Sequence, residues 1–105
     1  MGRYILVMDQ GTTGSRGVVY NEKGKLIAFD YEEYEQFYPH SGWWEQDGKT
    51  VWDVTLRMAQ SAVKKAGLTG KDIAAIGIAN QRETTTVWDK ATGEPIAPII
   101  VWGCR

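Results

Sequence analysis

The chain has one cysteine, one histidine and three prolines among its 105 residues. The lone Cys104 excludes an intrachain disulfide and a cysteine-based zinc site, and such sparing use of thiols points to a reducing compartment, the cytoplasm. His40 has no companion histidine, so no metal-binding or catalytic role is assigned to it. No apolar run approaches the ~20 residues of a membrane-spanning helix. The apolar run from Tyr4 to Met8 is too short for the core of a secretory signal, and Leu6 stands where a myristoylation signal needs Ser or Thr. Charge of either sign is also scarce in excess: 12 Lys and Arg face 13 Asp and Glu with no dense basic stretch, which excludes the electrostatic footprint of nucleic-acid or anionic-membrane binding.

What is present is an ordinary globular composition, 43% hydrophobic and 24% charged, sized for one domain. A chain of this length buries roughly two thirds of its unfolded surface, enough for one core but not for a second lobe closing a cleft. No repeat or low-complexity segment is evident.

Tyr4–Met8 is continuously apolar and halts at Asp9, the pattern of a strand buried on both faces. Gly11-Thr12-Thr13-Gly14 supplies a turn before a second strand, Arg16–Tyr20, and Asn21–Gly24 supplies another before a third, Lys25–Tyr34. Tight loops between the three predict an antiparallel meander, since parallel neighbours need a crossover. The acidic residues Asp30, Glu32, Glu33 and Glu35 read as a solvated strand face. Phe37–Gln46 reads as a loop and Asp47 as an N-cap. Val51, Thr55, Met58, Ala59, Ala62, Val63 and Ala66 recur at helical spacing up to Gly67, a left-handed C-cap. This crossover would deliver Ile73–Ala79 as a buried strand in parallel pairing. Thr84–Trp88 reads as a further strand, 89–93 as a turn, and Ile96–Trp102 as an edge or irregular strand because of Pro98. With no closing helix after that apolar segment, truncation is expected, with apolar surface left uncovered that would favour self-association.

Two polar clusters carry chemistry. The first, Asp9-Gln10-Gly11-Thr12-Thr13-Gly14-Ser15-Arg16, sets a carboxylate at a strand end, hydroxyls and glycines in a turn, and a guanidinium just beyond. Glycines let backbone N–H groups approach phosphate, hydroxyls donate to it, Arg offers a planar charged fork, and Asp can hold Mg²⁺. The pattern is neither a Walker loop nor a dinucleotide loop, and an ordinary glycine-rich hairpin has the same spacing. The second, Asn80-Gln81-Arg82-Glu83-Thr84, follows the last regular strand, at the end where open α/β sheets bind ligands. Arg82 and Glu83 can form a surface ion pair or, facing a cleft, donate to and accept from polyol hydroxyls. The five tryptophans (43, 44, 52, 88 and 102) read first as core or interface, although a Trp face also seats the carbon edge of a polyol.

Asp9–Thr13 with Ser15-Arg16, Gly42-Trp43 with Glu45 and Asp47, Ile73–Ile78 running into Asn80–Thr85, and Val101-Trp102 occur in an order that resembles the N-terminal part of the FGGY carbohydrate kinases. The Asn-Gln-Arg-Glu-Thr-Thr run and the Val-Trp pair most resemble the glycerol-phosphorylating members of that family. The resemblance covers the whole chain. It implies an α/β, ribonuclease-H-like or actin-like domain, of which residues 1–105 would be the incomplete N-terminal part. It further implies ATP and Mg²⁺ as cofactors, glycerol as substrate and a homo-oligomer for the parent enzyme. Thr12, Thr13, Gly14 and Arg16 would contact nucleotide phosphates, Asp9 would lie near the metal, and Arg82, Glu83 and Trp102 would bind glycerol. The family's catalytic base, an Asp, lies beyond residue 105, so no catalytic residue is expected here. Position 14 is Gly where the family usually has Ser, and position 103 is Gly where Gln is common. The alternatives are another sugar or polyol kinase of the family, or a noncatalytic actin-like module that binds nucleotide or a protein partner.

Overall fold

A computed structural model describes residues 3–81, 84 and 86–103. Three strands, β1 (Tyr4–Gln10), β2 (Gly14–Tyr20) and β3 (Leu26–Glu33), form the expected antiparallel meander. The β2–β3 turn closes because Asn21 Oδ1 accepts the N–H groups of Lys23 and Lys25 while Gly24 takes φ 79°. After a two-residue strand β4 (Glu45–Gln46), helix α1 (Gly48–Lys65) crosses back, and a 3₁₀ turn (Gly70–Asp72) leads into β5 (Ile73–Ala79), parallel to β1. Sheet order is therefore β3-β2-β1-β5.

Asp47 caps α1, its carboxylate accepting from Lys49 N–H at 3.1 Å and from the Thr50 hydroxyl at 3.1 Å. At the other end Gly67 takes φ 72° and its N–H bonds to the Lys64 carbonyl. The buried stripe of the helix is Val51, Val54, Thr55, Met58, Ala59 and Ala62. It packs in two patches: against the sheet through Leu6 and Val19 with Ala59 and Ala62, and beyond the sheet edge through Tyr34 and Ile99 with Val51, Val54 and Met58. Gly17 lets this happen, because a Cβ there would stand 2.3 Å from the Met58 carbonyl oxygen.

Several expectations are corrected. Asp30 and Glu32 are not a merely solvated face: they point to α1, where Asp30 accepts from Ser61 at 2.6 Å and pairs with Lys65 at 3.4 Å, and Glu32 pairs with Arg57. Alternation on β3 puts these two on the helix side, while Glu33 and Glu35 stay exposed. The β5 strand is parallel as expected but not buried, with Ile76 and Ile78 57% and 74% exposed, because α1 lies over β1–β3 and stops short of it. β1 is mostly half-buried rather than enclosed on both faces. The 37–46 segment is not entirely loop, since β4 pairs with a short β6 (Ile99–Ile100), and Phe37 bridges to Glu45. Among the described residues of 84–88 there is no strand, only a bridge from Trp88 to Pro95 across a turn closed by Asp89 and Gly93. Pro98 immediately precedes the two-residue β6 and no longer strand forms. Finally, no tryptophan is buried: Trp43, Trp52, Trp88 and Trp102 are largely exposed and Trp44 is half-buried. The core is built instead from aliphatic residues of β1, β2, α1 and the 99–101 segment together with Tyr34.

Candidate functional site

The first polar cluster folds into the β1–β2 turn. The Gly11 N–H bonds to the Gly14 carbonyl at 2.9 Å, and Asp9 stands directly across from Arg16 in the strand register. Tyr34, just past β3, fixes the turn from beneath: its N–H donates to the Thr13 carbonyl at 3.1 Å and its hydroxyl donates to the Gly11 carbonyl. Burial is the main influence on the Tyr34 phenol and pushes its pKa up, partly offset by hydrogen bonding from the Ser15 and Gln81 side chains. Ser15, wholly buried, shares a 2.7 Å hydrogen bond with the Thr55 hydroxyl of α1, which in turn donates to the Val51 carbonyl.

Tyr31 completes the rim of the turn. Its hydroxyl is 3.1 Å from Thr13 Oγ1, and the Arg16 guanidinium lies 5.4 Å from its ring centroid and 5.6 Å from that of Phe29. A Cβ at Gly14 would come within 2.7 Å of the Tyr31 hydroxyl and 2.5 Å of the Glu32 carbonyl, so in this chain the position has no room for a side chain. The hydroxyl absent at residue 14 is thus matched by one that Tyr31 brings to the same place.

The turn is tied to the second half of the chain by side-chain amides. Gln46, 0% exposed, donates to the Thr12 carbonyl at 2.6 Å and to Gln36 Oε1 at 2.8 Å, and accepts from Gln81 Nε2 at 2.8 Å. Gln36 also donates to the Thr12 carbonyl at 3.1 Å and accepts from the Trp44 indole at 2.6 Å. Thr84 donates to Gln81 Oε1 at 3.3 Å and accepts from the Trp102 N–H at 3.1 Å. The Trp102 indole reaches Thr12 Oγ1 at 3.0 Å, and its ring lies 5.7 Å from that of Trp44.

Of the residues singled out in the sequence, Asp9, Thr12, Thr13, Gly14 and Arg16 therefore share one turn, and Trp102 joins them from 90 residues away. Arg82 and Glu83 lie outside the described residues; their neighbours Gln81 and Thr84 sit within the amide network. Gln36 and Gln46 were missed by motif reasoning. A glutamine between tryptophans and a helix cap carries no periodic signal, and only its burial reveals its part. No group of three or more His, Cys, Asp or Glu side chains able to hold a metal occurs among the described residues. A single strand-end carboxylate, Asp9, beside a hydroxyl-rich turn suits a Mg²⁺ held largely by water and phosphate oxygens, not an all-protein cage.

Residues 4–105 match the model of the FGGY family of carbohydrate kinases, N-terminal domain. The chain belongs to this family. Its carbohydrate-kinase relatives include the glycerol kinase of Thermoanaerobacter sp. (strain X514), 50% identical over all 105 residues, which make up 21% of that protein. Among solved FGGY-like folds, glycerol kinase of Plasmodium falciparum with ADP superposes with a TM-score of 0.89 at 32% identity, over 97% of this chain and 21% of that one. Gluconate kinase from Lactobacillus acidophilus gives a TM-score of 0.84 at 30% identity, over 96% and 20%. The α/β, actin-like architecture of the family is thus the architecture found here, and the chain spans about a fifth of the length of the curated relatives it matches. No helix among the described residues is long and apolar enough to cross a membrane.

Proposed function

We propose that these residues are the N-terminal part of a cytoplasmic, ATP-dependent glycerol kinase that forms sn-glycerol 3-phosphate. The observation that carries the reading is the contact between the Trp102 indole and Thr12 Oγ1, which brings a phosphate-type turn against an exposed aromatic face whose backbone bonds to Thr84. Half-identity with a glycerol kinase along the whole chain supports glycerol over other polyols.

In this reading Thr12, Thr13, Arg16 and the backbone at Gly14 hold the nucleotide phosphates, Tyr31 adds a hydroxyl at the rim, and Trp102 backs the carbon chain of glycerol. Arg82 and Glu83 then donate to and accept from its hydroxyls. Asp9 would hold Mg²⁺ through water, and the ion when bound neutralises charge on the phosphates. A terminal hydroxyl oxygen of glycerol bonds to the γ-phosphorus as the bond from that phosphorus to the β,γ-bridging oxygen breaks. ADP leaves with the bridging electrons, and the hydroxyl proton passes to a base supplied by the remainder of the enzyme. Catalysis of this kind is mainly positioning and charge stabilisation.

The likeness to gluconate kinase favours, as the second reading, another FGGY kinase of different substrate. Coupled assays of the complete protein with glycerol, gluconate, xylulose and ribulose decide between them. Glycerol should be preferred in kcat/KM, and preference for any other acceptor overturns the first reading. No turnover with any of them favours a noncatalytic module.

A further inference from the structure

Five residues close a ring of hydrogen bonds. The Thr12 carbonyl accepts from Gln46, Gln46 accepts from Gln81, Gln81 accepts from Thr84, Thr84 accepts from the Trp102 backbone, and the Trp102 indole returns to the Thr12 hydroxyl. The ring runs from the phosphate-type turn to Gln81 and Thr84 and back. Gln46 is the buried member that bonds directly to both sides.

The amide of Gln46 admits one orientation. Both Nε2 hydrogens are aimed at oxygens, of Thr12 and Gln36, and Oε1 faces the amide nitrogen of Gln81. Turning it over would oppose oxygen to two oxygens and nitrogen to nitrogen around a side chain that is wholly buried. The other contacts of the network obey the same logic, and no buried side-chain polar atom among the described residues lacks a partner. A fully satisfied polar chain of this sort has few alternative arrangements, so displacement of one end is felt at the other.

We propose that Gln46 is a positioning residue that couples the two subsites: nucleotide on the Thr12 turn and polyol beside Trp102 each favour the arrangement the other needs. This rests on the functional reading above and adds to it that the two ligands bind synergistically. Gln46 touches neither ligand in this scheme. It holds the Thr12 carbonyl and the Gln81 amide at fixed separation, and through Thr84 it sets the backbone of Trp102.

The test uses the complete kinase and two variants. Gln46→Met keeps side-chain length without hydrogen bonds, and Thr84→Val opens the same ring at a less buried member should the first not fold. Calorimetry gives glycerol affinity with and without a nonhydrolysable ATP analogue. The wild type should bind glycerol roughly fivefold or more tightly with the analogue present, and in the variants this ratio should fall towards one. In parallel, the ¹⁵N-indole signal of Trp102, identified by its loss in Trp102→Phe, should exchange with solvent faster in both variants. A merely structural role would lower the folded fraction and leave the ratio intact, which overturns the proposal. Unchanged indole exchange overturns it as well, whatever the enzyme phosphorylates. Wild-type protein that binds nucleotide but not glycerol sinks the functional reading and the synergy with it, while the indole signal still reports separately whether Gln46 holds Trp102 to the turn.

Discussion

The seam between the meander and α1 and the irregular stretch from 84 to 103 are held together by different physics. In the seam, aliphatic side chains from β1, β2 and α1 interdigitate, Gly17 lets helix backbone approach strand backbone, and polar contacts such as Asp30 with Ser61 stand at the edge. In the irregular stretch only two of the described residues are in strand, and the chain is held by Trp88 bridging to Pro95, Ile99 and Val101 turned inward, and bonds made by Thr84 and Trp102. Burial of apolar area is the main force on the first region, with the buried Ser15–Thr55 hydrogen bond a local polar exception between β2 and α1. The second depends on particular donors meeting particular acceptors, so single-atom changes there should alter ligand contacts more than stability.

The largest effect that would sharpen this contrast is Gly17→Leu. A Cβ alone would overlap the Met58 carbonyl, so a full side chain must lift α1 from the sheet. Loss of about 3 kcal/mol or more is expected, read as a lower midpoint in urea denaturation. A stability loss no larger than that of a surface substitution would show that the helix does not depend on this close approach.

That contrast also explains what the sequence could reveal. Strands β1–β3, α1 with its Asp47 and Gly67 caps, and the parallel β5 are legible because hydrophobic period and turn chemistry are local. So is the membership of Asp9, Thr12, Thr13, Gly14 and Arg16 in one turn. Proximity of Trp102 to Thr12 is not legible, since nothing local marks a contact 90 residues apart. The exposure of Ile76 and Ile78 defeats the burial reading for a different reason: an apolar run records what a strand is built to face, and α1 does not extend over β5. Asp30 and Glu32 mislead because a carboxylate on a half-covered face is indistinguishable in sequence from one in open solvent.

Tyr34 joins the α1 seam and Ile99 of the irregular stretch to the β1–β2 turn, and its two parts can be separated. The ring packs with Val51, Val54, Met58 and Ile99, whereas the hydroxyl donates to the Gly11 carbonyl of the turn. Tyr34→Phe keeps the ring and should cost about 1 kcal/mol by leaving that carbonyl short of a donor. Burial raises the phenol pKa, so the neutral form is favoured by folding. The stabilisation is fully present below the unfolded-state value near 10 and is lost as pH rises through the higher folded value. Denaturation curves on the alkaline side should therefore be flatter in Tyr34→Phe, and an identical alkaline limb in both proteins would mean that the phenol is not held in the core.

The smallest expected effect lies at the titratable edge of the seam and contrasts it with the neutral amide network. Asp30 Oδ2 accepts from the Ser61 hydroxyl, Oδ1 accepts from the Tyr31 N–H at 2.9 Å, and Lys65 stands 3.4 Å away. The Ser61 bond, then the Tyr31 bond, hold the carboxyl below its ordinary value against a modest opposing effect of desolvation, with Lys65 adding to the lowering. A folded-state value below the unfolded one makes the contribution fully present above the ordinary carboxylate range near pH 4. It is lost as pH falls through the lowered folded value. Asp30→Asn keeps an acceptor for Tyr31 and removes the charge, so the variant should lose slightly in stability at pH 7 and converge on the wild type in acid. Gln46→Met, which alters no titrating group of its own, should instead show a stability difference from wild type that stays parallel across the same range. Parallel curves for Asp30→Asn, measured from pH 7 down to the acid transition, would place that carboxylate in open solvent and reduce the two regions to one kind of surface.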